Sequence, residues 1–536
     1  MQIPLFGLGH QGKSPAVTAQ RRLNVYYEFH QEQDRTAVSI HGTPGLILFA
    51  NFGDTPVRGW LAVNNTLYTV HRGTLYTVSN AAVKTAVGTL NTTSGKVSMA
   101  YNGSQVMIVD GTNGYIYDET YSTFAQIKQY STGTTTATTA NKLVDSGASF
   151  DSDGTTAGQI VYNTTDSTQA TITAVDSATT LSVSSDIFTS GENYAVGNNS
   201  FQDGAATVTF LNTYFIVESS DQFYISGANN GFDWDATDFA TAESSPDGIV
   251  RVYSDHGDLI LFGALTTENW GNSGATDFPF SKVQGISAEW GLAAMWSIAK
   301  FDNSLMYLAK NRMGEVMLVR LEGYYPQPIK DDEFHALINS YSTVSDATGF
   351  GYLLGGHPMY QINFPSEGKS WLYDGSTNLM TELKSYGVTR HRAELYAHFI
   401  NQNYVSDYSN GKIYRLDRST YDDNGDAIVR QLRSKHIFKD DKNIIVDSLQ
   451  LNIETGIGLA TGQGSAPLAM LRYSKDLGHT WSGEIQASIG AIGKYETRCI
   501  WRRLGVSRDW VFEISISDPI PVHITGANLM AREGIS

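Results

Sequence analysis

Apolar and polar residues alternate along much of the chain, the period-two pattern of strands that bury one face. The pattern is clearest where Asn64-Asn65-Thr66-Leu67-Tyr68-Thr69-Val70 is followed by Gly73-Thr74-Leu75-Tyr76-Thr77-Val78, two short runs with turn residues between them, which predicts a β-hairpin. Similar hairpins begin near Val106, whose second strand is Gly114-Tyr115-Ile116-Tyr117, and near Tyr214, Leu259, Leu305, Tyr352 and Leu395. Counted from Leu67, the spacings are 39, 108, 45, 46, 47 and 43 residues. Removing about 70 residues from the long interval leaves roughly 38, so about seven units remain, each the length of a four-stranded propeller blade.

The interrupting stretch, residues 131–200, contains 27 Ser or Thr and seven acidic residues against one lysine. Its middle still alternates, as in Ala170-Thr171-Ile172-Thr173-Ala174-Val175 and Thr180-Leu181-Ser182-Val183, which predicts a small inserted β module, with 131–140 as a flexible lead-in. From about residue 440 the strands lengthen, at 444–453, 468–473, 497–504 and 511–516, the pattern of a terminal β-sandwich. One helix is expected at 331–340, where Phe334, Leu337 and Ile338 share a face of 3.6-residue period.

The predicted class is therefore mainly β: a propeller of about seven blades with an inserted β module and a C-terminal β-sandwich. Its expected parts are an N-terminal arm and first strands at 1–57, the propeller at 58–130 and 201–439, the module at 131–200 and the sandwich at 440–536. A length of 536 residues agrees, because single cores stop growing near ~250–300 residues. Few charged residues (17%) with many Gly, Tyr and Phe favour strands and turns.

Charge changes the functional picture more than the structural one. Fifty-four acidic against 37 basic residues give a net −17, the wrong sign for a protein that grips nucleic acid by neutralising phosphates. Duplex DNA is thus expected as a passing neighbour and not as a bound ligand. The single cysteine, Cys499, has no intrachain partner and reads as a small buried apolar group in a protein made in a reducing cytoplasm. No basic stretch followed by an apolar core opens the chain, and nothing nears ~18 consecutive apolar residues, so neither export by signal peptide nor membrane insertion is expected.

Several motifs resemble chemistry. Gly7-Leu8-Gly9-His10-Gln11-Gly12-Lys13-Ser14 fits the phosphate-loop pattern, but Pro4 interrupts the strand that should precede it and Pro15 and Val17-Thr18 follow where a helix should begin, so an irregular arm is expected. Ser474, Asp476, Gly478, Thr480 and Trp481 form an Asp-box, S-x-D-x-G-x-T-W, which in sialidases and other propellers is an architectural hairpin turn. The twelve histidines are scattered, His391 and His398 lie seven apart, and the acid pairs Asp331-Asp332 and Asp422-Asp423 read as solvated loops. No catalytic, cofactor-binding or metal-ligating set is singled out. Basic residues do gather late, at Arg430, Arg433, Lys435, Lys439 and Lys442 and then at Arg498, Arg502, Arg503 and Arg508. These last four are a candidate interface for an acidic neighbouring subunit or a DNA phosphate, against the plainer reading of a solvated or salt-bridged face.

Several stretches resemble the tail-hub proteins, also called packaged-DNA stabilisation proteins, of short-tailed bacteriophages. They are Gln20-Arg21-Arg22-Leu23-Asn24-Val25-Tyr26, Gly42-Thr43-Pro44-Gly45-Leu46, Arg58-Gly59, Gly95-Lys96-Val97-Ser98-Met99-Ala100 and Ser244-Ser245-Pro246-Asp247-Gly248-Ile249. The similarity runs over about residues 15–440, less the insertion, and more weakly to the C-terminus. It implies a structural, non-enzymatic virion tail protein without a cofactor, assembled in the host cytoplasm as a homohexameric ring. Its implied partners are the adaptor ring under the portal, a tail needle or plug, and tailspikes or fibres, with DNA passing through the channel. The alternative is a receptor-binding or glycan-cleaving, sialidase-like tail propeller, which a cleft of convergent carboxylates with an arginine cluster would favour.

Overall fold

The computed structural model describes residues 14–30, 37–197, 200–243, 245–275, 277–440 and 442–534. Seven successive antiparallel sheets form the blades of a β-propeller: one (57–89), two (98–126), three (208–241), four (249–288), five (290–328), six (348–383) and seven (393–417). Each grows from a hairpin visible in the sequence. In blade one, Leu67 pairs with Ala62 on one side and Val78 on the other, and the preceding turn is made by Asn64 and Asn65 at φ 47° and 60°, the left-handed pair that suits a tight hairpin. Inner strands touch between blades one and two, two and three, three and four, five and six, six and seven, and seven and one, and blade four meets blade five where Asp258–Gly263 and Thr267–Asn272 touch Trp290–Leu292, so the ring closes.

Closure uses a strand from the far end of the chain. Gly45–Asn51 pairs antiparallel with Lys412–Asp417 as the fourth strand of blade seven, and buries Leu46 and Ala50. A Cβ on Gly45 would press into the backbone carbonyls of Thr420 and Asp422, so this entry point requires glycine.

The remaining N-terminal strands join the sandwich. One of its sheets runs in the order Val25–Phe29, Val38–Gly42, His523–Glu533, Ile444–Ile453, Cys499–Ser507. The other is continuous with blade six: Leu379–Leu383 pairs parallel with Arg21–Leu23, which pairs antiparallel with Arg430–Arg433, followed by Asp509–Ile516, Leu468–Ser474 and Ile485–Ser488. Between them lies a core including Val25, Ile40, Leu449, Trp501, Trp510 and Phe512. The described strands before residue 57 are thus divided between propeller and sandwich, and the C-terminal part of the sandwich begins with Arg430–Arg433, ten residues before the expected boundary at 440. Alternation marks a strand but says nothing of a partner hundreds of residues away, and that partner decides the domain.

The polar residues of the N-terminal motif hold this seam. Arg22 donates to the Met380 carbonyl (2.7 Å from Nη2), Arg21 pairs with Glu382 (2.7 Å), and Asn24 donates to the Lys384 and Val429 carbonyls while accepting from the Lys384 amide. Arg58 likewise donates to the carbonyls of Gly95, Arg72 and Thr92, and Asp247 accepts the amides of Leu265 and Thr266. Apart from the Arg21–Glu382 ion pair, the partners are backbone groups that would otherwise go unpaired.

The inserted stretch forms a seven-stranded sheet over its own core of Leu143, Phe150, Val161, Ile172, Leu181 and Val196. Its first residues are not a flexible lead-in: Gln129–Thr134 pairs with Asn193–Gly197, and Ala137–Thr139 with Lys142–Val144. Threonine-rich backbone favours strands once partners exist, and the buried Thr135 hydroxyl bonds to the Thr189 and Glu192 carbonyls. The module meets the propeller through Ile160, packed with Ile127 and Phe201, and through Tyr162 and Gln169, which both donate to Asp233. Because entry and exit strands are neighbours, replacing 131–200 with a short Gly linker is expected to leave the propeller folded. Its melting point should fall by only a few °C, roughly the value of the Ile160 packing. Calorimetry checks this, and loss of the cooperative transition would make the module part of the propeller core.

The helix is Asp332–Ile338, capped by Asp331, whose carboxylate accepts the Phe334 amide at 2.9 Å.

Candidate interaction surfaces

The late basic residues divide into two kinds. Arg430 is buried beneath Gly42, Arg433 pairs with Glu513 at 2.7 Å, and Lys439 and Lys442 both pair with Glu533. Arg433, Lys439 and Lys442 are thus neutralised within the chain, and Arg430 donates its Nη2 to the Tyr421 carbonyl at 3.1 Å. Arg498, Arg502, Arg503 and Arg508 are exposed, on and beside Cys499–Ser507, the edge strand of the sandwich. Along that strand Cys499, Trp501 and Leu504 face the core. Register slips opposite Val446 and Ser448, and Arg503 sits there at φ 60°. Arg498 donates to the Gln450 side chain at 2.6 Å, while Arg502, Arg503 and Arg508 enter no ion pair among the described residues. A bulge and a row of cations are also what keeps an edge strand from pairing with another chain. Burial pushes the Cys499 thiol up to about 12, so it packs as an apolar group.

The Asp-box is a closed turn. Ser474 Oγ accepts the Gly478 amide at 2.9 Å, Asp476 accepts the Thr480 amide at 2.8 Å and the Thr480 hydroxyl, and Gly478 lies at φ 88°. These donors hold the Asp476 carboxyl down at about 2. Trp481 lies against the guanidiniums of Arg433 (4.6 Å) and Arg472 (5.7 Å). Both arginines grip Glu513, which is 2% exposed, so ring, cations and carboxylate form one stack.

Other candidates fare differently in three dimensions. His391 is held neutral by burial, down to about 3, while His398 is exposed beside Asn403, so the two do not converge. Asp422 caps a turn by accepting the Gly425 amide, but Asp423 is not a solvated loop residue. It is buried, accepts the Ser385 hydroxyl at 2.9 Å, and is pushed up to about 6 by desolvation, which Arg392 partly offsets. Of the phosphate-loop pattern, Gly7 to Lys13 lie outside the described residues, and Ser14 is followed by a turn and not by a helix. A cavity of about 300 Å³ at the inner strands carries Lys96, paired with Glu394 at 2.7 Å, and Arg251, whose guanidinium lies 5.4 Å from the Trp296 ring.

One group escaped the sequence reading altogether. Glu28, His30 and His41 present ligand atoms within 4.8 Å of one another, an arrangement that can hold a metal ion. The signal was local: Glu28 and His30 alternate on one strand, and the next strand of the hairpin brings His41 across. Scanning for single-helix or single-loop motifs does not find pairs that meet across a hairpin.

Residues 1–180 and 155–421 match the family model described as bacteriophage P22 Gp10, β-propeller, and residues 429–532 match that described as bacteriophage P22 Gp10, β-sandwich. The chain belongs to the P22 Gp10 family. As a P22 Gp10 relative it is a phage tail-hub structural protein and a component of the virion tail, and the family's role suggests no enzymatic one. The Gp10 propeller match is split in two, and its pieces overlap at 155–180, inside the inserted module. No curated protein matches the chain. Solved structures that resemble it include the N-terminal domain of Nup159 (7% identity, 72% of this chain and 97% of that one, TM-score 0.34). Two others are Hsv2p of Kluyveromyces lactis (9%, 61% and 97%, 0.26) and the Pan2 WD40 domain of Neurospora crassa (9%, 78% and 97%, 0.25).

Proposed function

We propose that the chain is one subunit of a closed ring below the portal and adaptor of a short-tailed phage, retaining packaged DNA, holding a needle or plug and attaching tailspikes or fibres. The observation that carries this reading is the match of both halves, propeller and sandwich, to the P22 Gp10 family. A hub encircles an axial path, and closed cyclic symmetry leaves no open ends. The exposed arginines Arg498, Arg502, Arg503 and Arg508, none of them in an ion pair among the described residues, lie on an edge that suits docking on an acidic neighbouring subunit, which turns the net −17 into a complementary pair and not a repulsion.

Cryo-electron microscopy of virion tails tests the ring: copies arranged with rotational symmetry, six by the family's pattern, are expected, and copies without symmetry about the tail axis overturn it. DNA binding across a salt series tests the arginines. Wild type should bind duplex no better than the non-specific range of ~10⁻⁴ to 10⁻⁶ M at physiological salt, and changing Arg498, Arg502 and Arg503 to Ser should alter nothing. Sub-micromolar binding that vanishes in the variant would make this edge a DNA grip.

A further inference from the structure

We infer that Glu28, His30 and His41 form a binding site for one divalent transition-metal ion of the zinc class, seated at the seam between the N-terminal hairpin and the C-terminal sandwich. The three groups are supplied by strand geometry. Glu28 and His30 are two apart, so they leave the same face of Val25–Phe29 and its continuation, where the His30 amide still bonds the Ala37 carbonyl at 2.9 Å. On the facing strand Ser39 lies opposite Glu28 and His41 opposite Tyr26, which puts His41 diagonally beside Glu28.

The nitrogens converge. Nε2 of His30 and Nε2 of His41 are each 2.6 Å from the Ser39 hydroxyl oxygen, and His41 Nε2 is 3.4 Å from Glu28 Oε2. Two imidazoles and one carboxylate are the ligand chemistry of a His2Glu zinc site. Its fourth position is left to water or, here, to the Ser39 hydroxyl, which stands where both rings point. Behind the first ligands is a second layer. His41 lies opposite His523 on the neighbouring strand, with their Nδ1 atoms 2.8 Å apart. With Nε2 as the ligand, His41 donates its Nδ1 proton to His523, the outer hydrogen bond that fixes ring orientation and tautomer in histidine metal sites. The Tyr26 ring stacks on His41 at 5.4 Å, and Tyr26, Glu28, His41, Arg418 and His523 wall a cavity of about 160 Å³ beside two of the three ligands. An ion here ties the hairpin, through His41 and His523, to the last strand of the sandwich. Binding forms bonds from the ion to Nε2 of His30, Nε2 of His41 and a Glu28 carboxylate oxygen, releases any proton on those two Nε2 atoms to solvent, and leaves the Nδ1 proton of His41 in place.

The test uses the tag-free full chain, treated with a chelator, desalted and titrated with Zn²⁺ alone by calorimetry, with bound metal counted by mass spectrometry. One ion per chain and a higher melting temperature with Zn²⁺ are expected. Both should be lost in His30→Asn and in Glu28→Gln, near-isosteric changes at half-buried positions outside the apolar core, and affinity should fall about 10–100-fold in His523→Ala. No saturable site in wild type, or an undiminished one in His30→Asn, overturns the inference. X-ray absorption of the wild-type zinc complex needs no variant. Two imidazoles in an all-nitrogen-and-oxygen shell are required, and a shell without imidazole overturns the site as well.

Discussion

Deleting residues 1–51 is expected to abolish the cooperative unfolding transition of the entire chain. The deletion removes three kinds of structure at once. Blade seven loses Gly45–Asn51, its fourth strand, and with it the fastening of the ring, leaving Lys412–Asp417 as a bare edge that invites aggregation. The sandwich loses Val25, Tyr27 and Ile40 from its core. The bridge between them, Arg21–Leu23, goes too, so blade six is no longer continuous with the sandwich. A graded version avoids the objection that any long truncation misfolds: Leu46→Ala in the intact chain leaves a cavity against Phe350, Val405 and Tyr414 and should cost about 2–5 kcal/mol. Guanidinium unfolding followed by tryptophan fluorescence measures both. A truncated chain that melts cooperatively at the wild-type temperature would show that the propeller closes without its N-terminal strand.

Glu513→Ala should destabilise the sandwich by about 3–5 kcal/mol, more than the loss of any surface ion pair, because it leaves Arg433 and Arg472 facing each other without the carboxylate between them. Arg433 is mostly buried and donates both Nε and Nη2 to Oε2 (2.9 and 2.7 Å), while Arg472 reaches Oε1 (3.0 Å from Nε). The converse is equally specific. Replacing Glu513 with Leu together with Arg433 and Arg472 with Met removes every charge of the group and should recover most of that loss, since apolar substitutes of similar volume do nearly as well as a buried ion triad. Trp481→Ala removes only the ring beneath the cations and should cost about 1 kcal/mol. Urea denaturation of the three variants separates these outcomes. A cost below about 1 kcal/mol for Glu513→Ala would mean that water replaces the carboxylate freely.

Read residue by residue, the propeller was legible because its information is local. A blade is a run of hairpins, each hairpin is two alternating strands around turn residues such as Asn64 and Asn65, and both signals lie within about twenty residues of each other. The same locality exposed the inserted module through its composition, the helix through Phe334, Leu337 and Ile338, and the Asp-box through eight consecutive residues. Composition and net charge fixed the β class and set aside tight DNA binding as the expected role. Only the tertiary structure decided which strands belong together across the chain: Gly45–Asn51 in blade seven, Arg21–Leu23 between blade six and the sandwich, and Val25–Phe29 with Val38–Gly42 beside His523–Glu533. It alone separated Arg433, sunk against Glu513, from Arg502 and Arg503 on the edge strand. It alone brought His41 to His523, 482 residues apart, and turned Asp423 inward. The physical reason is common to all of these. A side chain's neighbours along the strand are set by its own sequence through the two-residue repeat, whereas its neighbours across the sheet depend on which distant strand docks and in what register.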